Sequence, residues 1–375
     1  MRRGFARFPG WCAFLAILIG FPFPVSADFL GLQRRIIEIY QENRSAMVRV
    51  KAVYEAQGEE TTPQVIIGTG FFISREGSVL TNTSIVDNAS RESRPIRIWI
   101  EHDGVAFSAD LIGSDHSANV ALLRLNTLPR EFRFLHLVDS ADLPPVGTLV
   151  VRLSMPLEFD PTPELGMVTG HESRFGGRLF PCIYIRTSIP GSPGDGGSAY
   201  LDLNGRLIGL NVVSIPEIGA TYVIPARAAL RIREDLLAEG NVVRGWVGFE
   251  VREESSVRDG NRIVIAAITD TPAREGGLLA GDVIRQIGGY RIRSLDDLRN
   301  AMFYARVGQY LQIQVLRAGE QRDFSIRVAP RPADEPLEVH AGVGEIEEIL
   351  LPASLPDSED GEEVDPVELL QRRRP

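Results

Sequence analysis

The chain has 375 residues and a formal net charge of −10 at neutral pH. Its length predicts two or three domains rather than one. Hydrophobic residues make up 44% and charged residues 24% of the chain, a composition typical of folded globular proteins. We see no basic stripe of the kind that binds nucleic acid, and we expect no cofactor and no metal.

The first 27 residues have the pattern of a secretory signal peptide. Three arginines among the first seven residues precede an apolar run, Cys12 to Val25, and Val25-Ser26-Ala27 offers small residues for cleavage. An uncleaved membrane anchor is the alternative. The apolar run is short for a span of ~20 residues and contains Pro22 and Pro24. We therefore expect an exported protein, periplasmic or extracellular, with no stable membrane span after cleavage.

Helical spacing of apolar residues predicts a short amphipathic helix within residues 28–45. From residue 46, many short alternating runs separated by turns predict an all-β region, and Asn204-Gly205 between two apolar runs predicts a hairpin. A helical pattern follows and ends at Gly240. The mature chain keeps one cysteine, Cys182, which we expect to be a buried and inert thiol.

Residues 244–331 form a second predicted unit, with short strands around a helix for which Ser294 can serve as N-cap. Residues 332–375 contain thirteen acidic residues and three arginines, giving this tail a net charge of −10. The first 27 residues carry +3, so residues 28–331 are close to neutral at −3. We expect the acidic tail to be disordered.

Several motifs, in this order and spacing, resemble the HtrA/Deg family of trypsin-like serine proteases with a PDZ domain. The first part is similar through GTGFFISREGSVLTN and GSDHSANVALLRL, and the second through LGMVTG and GSPGDGGSAYLDLNGRLIGLN. The PDZ part is similar through RGWVGFEV, TPAREGGLLAGDVIRQIGGYRI and SLDDLRNAM. The resemblance implies a mainly β fold. The implied fold has a chymotrypsin/trypsin-like double β-barrel within residues 46–240, with barrels at roughly 46–140 and 141–225 and then a linking helix. A C-terminal PDZ domain follows at 244–331.

All three positions of the family's catalytic triad depart from its pattern. Ser84 stands where the family has its histidine, Asn119 where it has its aspartate, and Gly196 where it has its nucleophilic serine. Acyl transfer needs a nucleophile, a base that takes its proton and a group that orients the base. Gly196 has no side chain, the Ser84 hydroxyl is no base at neutral pH, and the Asn119 amide carries no charge. We therefore expect no catalytic residue of this type.

Ser192 and Ser198 flank the gap left by Gly196, and Ser198 is the candidate for a replacement nucleophile. Ser198 lies two residues beyond the family's position, so its hydroxyl is not expected to point at the oxyanion pocket. A replacement nucleophile would also need a base. We expect all five histidines to be surface or loop residues, namely His102, His116, His136, His171 and His340.

Backbone N–H groups in the loop of Gly194, Asp195 and Gly196 can form an oxyanion-like nest that holds a carbonyl or carboxylate. A glycine-rich turn without a ligand is the alternative. In the PDZ part, the resemblance implies that the loop and strand at Trp246, Val247, Gly248 and Phe249 bind a peptide's C-terminal carboxylate, and that the peptide adds as a strand. The helix after Ser294 would form the other wall, with pocket residues Leu298 and Met302, and the alternative is that these side chains are only core.

The sequence thus favours an exported, catalytically inactive pseudoprotease that binds polypeptides or protein C-termini through its PDZ domain, as an adaptor, regulator or chaperone. The alternative is an active HtrA-like serine endopeptidase in protein quality control, with Ser198 as an unorthodox nucleophile. The resemblance also implies partners of its own kind, either a homotrimer or active homologues.

Overall fold

The computed structural model describes residues 29–55, 63–87, 96–175, 178–256 and 260–332. The predicted signal peptide and acidic tail lie outside these ranges. Helix α1 spans Phe29–Asn43 and is followed by a 3-10 turn, Arg44–Ala46. Its inner face buries Ile39, whereas Phe29 and Leu30 at its start are exposed. Among the described residues, we find no helix whose length and apolarity would suffice to cross a bilayer.

Six antiparallel strands close into the first barrel in the order β1-β2-β3-β6-β5-β4. A single turn of helix, α2 (Thr83–Val86), directly follows the third of these strands. The strands are β1 Met47–Tyr54, β2 Gln64–Phe72, β3 Ser78–Thr81, β4 Ile96–His102, β5 Val105–Asp115 and β6 Val120–Leu125. Because strand side chains alternate in direction, the apolar half of each strand fills the barrel.

Six further strands close into a second barrel in the order β10-β11-β12-β9-β8-β7. They are β7 Leu149–Ser154, β8 Thr162–Phe175, β9 Arg178–Thr187, β10 Ala199–Asp202, β11 Leu207–Ile215 and β12 Ala220–Pro225. Gly205 turns the β10–β11 hairpin at a φ of 78°, a conformation that favours glycine. Helix α3, Ala226–Glu239, leaves the barrel at Pro225 and stops at Gly240 in the left-handed region.

The rest of the described chain is a sheet with two short helices. Its main order is β14-β15-β16-β18-β19, with β17 paired to β16, while β13 pairs separately with β20. The strands are β13 Gly245–Trp246, β14 Phe249–Ser256, β15 Gly260–Ile268, β16 Val283–Ile287, β17 Tyr290–Arg291, β18 Tyr310–Arg317, β19 Glu320–Arg327 and β20 Ala329–Pro330. The helices are α4 Thr271–Glu275 and α5 Leu295–Phe303. Strand β14 is a sheet edge, so one side of its backbone is unpaired by the sheet.

The predicted fold class, mainly β with two successive barrels and a further β unit, is confirmed. One hydrophobic core joins the second barrel to elements outside it. It includes Ile39 of α1, Ile232 of α3 and Phe303 of α5. Cys182 of β9 lies in the same core, and burial raises the pKa of its thiol, which disfavours the reactive thiolate.

Replacing Phe303 with alanine tests this shared core. Phe303 is 4% exposed, and removing a buried phenylalanine typically costs about 3–5 kcal/mol of unfolding free energy. We expect Phe303→Ala to lower the urea midpoint strongly. Leu279→Ala, at a side chain that is 53% exposed, is the matched control and should leave the midpoint nearly unchanged. Equal midpoints for the two variants would contradict the shared core.

Candidate functional site

The structure brings Ser84 and Asn119 together where the two barrels meet. Ser84 lies in α2 and is exposed, and its backbone N–H donates to Asn119 Oδ1 at 2.9 Å. Asn119 Nδ2 donates to the carbonyl of Val212, on β11 of the second barrel, at 2.8 Å. Asn119 has a φ of 56°, which asparagine tolerates better than most residues. A neutral amide therefore links α2 to the second barrel at this position.

The loop that carries Gly196 is held by two consecutive tight turns. The first runs from Ser192 to Asp195, with Gly194 at a φ of 84°, and the second from Asp195 to Ser198, with Gly197 at 87°. A positive φ at the third residue is what a type II turn requires. A Cβ on Gly197 would lie 2.0 Å from a backbone carbonyl oxygen of β2, so glycine is needed there.

Thr69 of β2 fixes this loop to the first barrel. Its backbone N–H donates to the Gly196 carbonyl at 2.9 Å, and its hydroxyl donates to the Gly194 carbonyl at 2.8 Å. Gly196 faces α2, because a Cβ on Gly196 would lie 3.0 Å from Asn82 Nδ2 and 3.8 Å from Ile85 Cδ1. Ser84, Asn119 and Gly196 thus lie close together at the junction of the barrels, a region called the cleft below.

Ser198 is fully buried, and its hydroxyl donates to the carbonyl of Asp195. A hydroxyl in that place is directed into the protein and already has an acceptor. Ser192 is exposed, but its side chain makes no hydrogen bond within the described part of the chain.

The described histidine rings are all engaged away from these serines. His102 is buried and bonds to the Ser45 carbonyl, and His171 bonds to the Pro144 carbonyl, each at 2.9 Å. The His116 ring lies 3.1 Å from the Asp87 carboxylate. The His136 ring packs edge-on against the Phe134 ring. His340 lies outside the described residues. No histidine among the described residues is hydrogen-bonded to a serine of the cleft.

Asp195 has a different role from the one the sequence suggested. Its N–H bonds within the turn to the Ser192 carbonyl, so this group adds nothing to an oxyanion nest. Its carboxylate is buried, pairs with the fully buried Arg152 at 2.7 Å and accepts the Ser192 N–H at 2.7 Å. Burial raises the pKa of Asp195, against the effect of these partners. Arg152 also pairs with the half-exposed Glu164, an arrangement that sequence reasoning did not detect.

The N–H groups of Gly194 and Gly196 remain as candidate donors. Within the described ranges, neither donates a hydrogen bond, and both residues are half-buried. Two of the three N–H groups of the predicted nest thus stay candidates, and their use in binding stays a prediction.

The second predicted site lies at the edge strand β14. Gly248 has a φ of 86°, and within the described residues the N–H groups of Val247 and Gly248 donate no hydrogen bond. Trp246 belongs to the separate pair β13–β20, and Phe249 begins β14 and is half-buried. This loop thus offers backbone donors next to an unpaired strand edge.

Helix α5 starts at a capping box formed by Ser294 and Asp297. Met302 is half-buried, whereas Leu298 is only 7% exposed, which favours the core alternative for the Leu298 side chain.

The outer side of α5 docks on the second barrel. Asn300 Oδ1 accepts the backbone N–H of Ile183 on β9 at 3.0 Å, and Asp296 pairs with Arg174 of β8 at 3.0 Å. The guanidinium of Arg244 lies 4.6 Å from the Phe303 ring centre and also pairs with Asp115 of the first barrel. The part of the chain that carries the candidate peptide site therefore contacts both barrels.

Comparison with known proteins relates both parts of the chain to described families. A family described as "Trypsin-like peptidase domain" matches residues 68–210, and a family described as "PDZ domain" matches residues 245–328. A probable periplasmic serine endoprotease DegP-like from Bartonella henselae is 26% identical over 282 residues, covering 72% of this chain and 54% of the relative. One of the same description from Ectopseudomonas mendocina is 29% identical over 327 residues, covering 83% and 65%.

Among solved structures, the HtrA-type protease AlgW with tripeptide is 25% identical with a TM-score of 0.60, over 79% of this chain and 97% of that one. The chain spans only about half to two thirds of the length of the two curated relatives.

Removing the positive charge of Arg152 tests its part in holding the loop. Leaving one member of a buried ion pair unpaired typically costs about 3–5 kcal/mol. We expect Arg152→Met to destabilise the fold in urea titrations at pH 7 and the double variant Arg152→Met/Asp195→Asn to recover part of the loss. Since burial already raises the pKa of Asp195, the carboxyl of the single variant takes up a proton more readily in the folded state than in the unfolded state. The loss should therefore shrink as the pH falls, and a loss independent of pH would contradict this account.

Proposed function

Because the chain belongs to the HtrA/Deg family of trypsin-like proteins with a PDZ domain, we propose that it is an exported pseudoprotease. In this proposal it does not cleave peptide bonds and binds polypeptides or their C-termini through the PDZ domain. It would serve as an adaptor, a regulator of active relatives or a chaperone. The word periplasmic in the names of its relatives supports export.

One observation carries the proposal: within the described residues, neither the Ser84 hydroxyl nor the Ser198 hydroxyl is hydrogen-bonded to an imidazole or a carboxylate. Gly196 supplies no nucleophile, and the Ser84 N–H is bonded to the neutral amide of Asn119. The Ser198 hydroxyl is buried on a backbone carbonyl, and the described histidines are engaged elsewhere. A general base must lie within hydrogen-bond reach of the proton that it takes, about 2.6–3.2 Å or through one water. The geometry around Gly196 therefore supports loss of acyl transfer.

Peptide binding is supported by the loop at Val247 and Gly248. Its N–H groups donate no hydrogen bond to any described residue and lie beside the edge strand β14. Main-chain hydrogen bonds to such an edge give affinity for an extended peptide whatever its sequence. A similar structure is described as the HtrA-type protease AlgW with tripeptide, which supports peptide binding by this chain.

An active serine endopeptidase is the second candidate, favoured by the names of the DegP-like relatives. In that candidate Ser198 would attack the peptide carbonyl. It requires the Ser198 side chain to leave its buried carbonyl acceptor and to find a base.

We expect residues 28–375 to leave unfolded casein intact and to resist labelling by a fluorophosphonate, with an active trypsin-like protease as positive control. Gly196→Ser restores a hydroxyl but no base, so it should stay unlabelled as well. Ser198→Ala is the matched control for the second candidate. Turnover by the wild type that disappears in Ser198→Ala would overturn the pseudoprotease proposal in favour of the endopeptidase.

Binding to the PDZ groove can be measured by fluorescence anisotropy with an apolar peptide that has a free C-terminal carboxylate. We expect Met302→Lys to weaken binding by at least about tenfold, because an ammonium group in a half-buried apolar wall lowers affinity. Tyr310→Lys is the control, at a side chain that is 69% exposed. Amidation of the peptide's C-terminus should weaken binding to the wild type, and equal affinity for both peptides would argue against carboxylate recognition.

A further inference from the structure

We propose that Arg299 makes the PDZ groove selective for peptides with an acidic side chain at the third residue from their C-terminus. This inference rests on the function proposed above, because it concerns the same groove and names the class of peptide that the groove prefers. Its basis is the position of Arg299 on helix α5, the donors that its guanidinium leaves open, and the surplus of positive charge beside it.

Helix α5 turns three of its sides towards other parts of the molecule. Residues three or four positions apart share one side of a helix. Leu298 and Ala301 are 7% and 3% exposed and form the side that packs into the core. Asn300 and Phe303 belong to the side that docks on the second barrel. A third side leads to Tyr304, whose ring stacks on a tyrosine of β17.

The fourth side of α5 carries Arg299. Met302, the half-buried residue expected in the wall of the groove, lies three positions after Arg299, and Leu295 lies four positions before it. These three side chains therefore follow one another along the same wall. Because Leu298 packs into the core, Arg299 is the wall residue one turn before Met302. The wall thus places a cation between two apolar side chains.

The opposite wall, strand β14, is apolar where it begins. Phe249 and Val251 are half-buried, whereas Glu250 and Arg252 are exposed. Because strand side chains alternate in direction, Phe249 and Val251 lie on the groove side and the two charged residues lie on the other side. The charge that a peptide meets along this part of the groove therefore comes from Arg299.

The guanidinium of Arg299 is bound at one nitrogen and open at the others. Its Nη1 donates to Asp296 Oδ1 at 3.0 Å. Its Nε and Nη2 donate no hydrogen bond to any described residue, and neither atom is buried. The side chain as a whole is only 12% exposed, so packing and the Asp296 bond hold it in place. A guanidinium with two open donors can bind a carboxylate through two parallel hydrogen bonds.

The charges next to Arg299 leave a surplus of one positive charge. Asp296 also pairs with Arg174 of β8 at 3.0 Å, so one carboxylate serves two guanidinium groups. Asp297, the other acid at the start of α5, accepts two backbone N–H groups that precede the helix. A charge that is partly removed from water attracts a counter-charge more strongly than one in bulk water. The site is therefore suited to an added carboxylate.

The direction of a bound peptide along α5 follows from the position of the loop at Val247 and Gly248. The start of this loop lies beside the end of α5, since a Cβ on Gly245 would be 2.7 Å from the Ala305 carbonyl oxygen. In the proposed binding mode the peptide's carboxylate meets the N–H groups of this loop. The preceding residues of the peptide then run from the end of α5 towards its start.

The spacing brings the third residue from the peptide's end to Arg299. A peptide that adds to β14 as a strand turns every second side chain towards α5, at intervals of about 6.8 Å. If its last side chain lies beside Met302, the third from the end lies one such interval closer to the start of the helix. Arg299 is about 4.5 Å from Met302 in that direction, and helical side chains lean towards the helix start. An aspartate or glutamate at this position of the peptide therefore reaches the guanidinium.

The test is fluorescence anisotropy of the full chain with two isomeric apolar peptides, each with a free C-terminal carboxylate and one aspartate. The aspartate is the third residue from the end in one peptide and the fourth, facing away from α5, in the other. Their composition and net charge are equal. We expect the wild type to bind the first at least about fivefold more tightly. This preference should shrink as the salt concentration rises.

Arg299→Met removes the charge but keeps an unbranched apolar side chain, so it should bind both isomers equally. Arg327→Met is the matched control, at an exposed arginine on the opposite edge strand β19, and should keep the wild-type preference. Arg299→Glu should prefer a lysine over an aspartate at the third position from the end. A merely structural role of Arg299 would not produce such a reversal.

Equal affinity of the wild type for the two isomers would overturn the role of Arg299 and leave the PDZ proposal standing. A preference that persists in Arg299→Met would also overturn it. Binding of neither isomer would contradict both this inference and the peptide-binding function on which it rests. Should Arg299→Met fail to fold, the comparison of the two isomers on the wild type still decides.

Discussion

The buried pair of Arg152 and Asp195 is the interaction on which the cleft depends. Arg152 reaches from β7 to the loop between β9 and β10 and neutralises a carboxylate that burial would otherwise make costly. The Asp195 carboxylate accepts a hydrogen bond from the Ser192 N–H. The Asp195 carbonyl accepts three more, from donors of Ser198 and Asn211 in the second-barrel part of the chain. With Thr69 holding the loop from the first barrel, the turn keeps its shape although it carries no nucleophile. The residues that fix the shape of this loop are thus different from Ser84, Asn119 and Gly196.

Much of the fold could be predicted from the sequence because it rests on local patterns. Alternating apolar runs and turn glycines such as Gly205 specify strands and hairpins wherever they occur. The resemblance of the motifs to the HtrA/Deg family then implied the order of barrels and PDZ domain, and it implied the roles of the positions held by Ser84, Asn119 and Gly196. These three residues lie close together where the barrels meet. A strand pattern alone does not fix the distances between residues of different strands.

The remainder depends on contacts between residues far apart in the chain. Asp195 was expected to offer its N–H to a ligand, but that N–H donates to the Ser192 carbonyl within the turn. Its carboxylate is bound by Arg152, 43 positions earlier in the chain. For Leu298 the sequence left both a pocket and a core position open. Its low exposure depends on how α5 packs, which the helix pattern alone does not show. The docking of α5 on β9 through Asn300 and Ile183 uses a polar side chain and a main-chain N–H, a pairing without a recognisable sequence signal.

The amide of Asn119 restricts which side chains this position can hold. Its oxygen accepts the Ser84 N–H, and its nitrogen donates to the Val212 carbonyl. A carboxylate at this position could make the first bond only, and it would set an oxygen against the Val212 carbonyl oxygen 2.8 Å from the present nitrogen. Two acceptors without a proton between them repel each other. An asparagine side chain therefore fits between the Ser84 N–H and the Val212 carbonyl, whereas an ionised aspartate fits only the first of them.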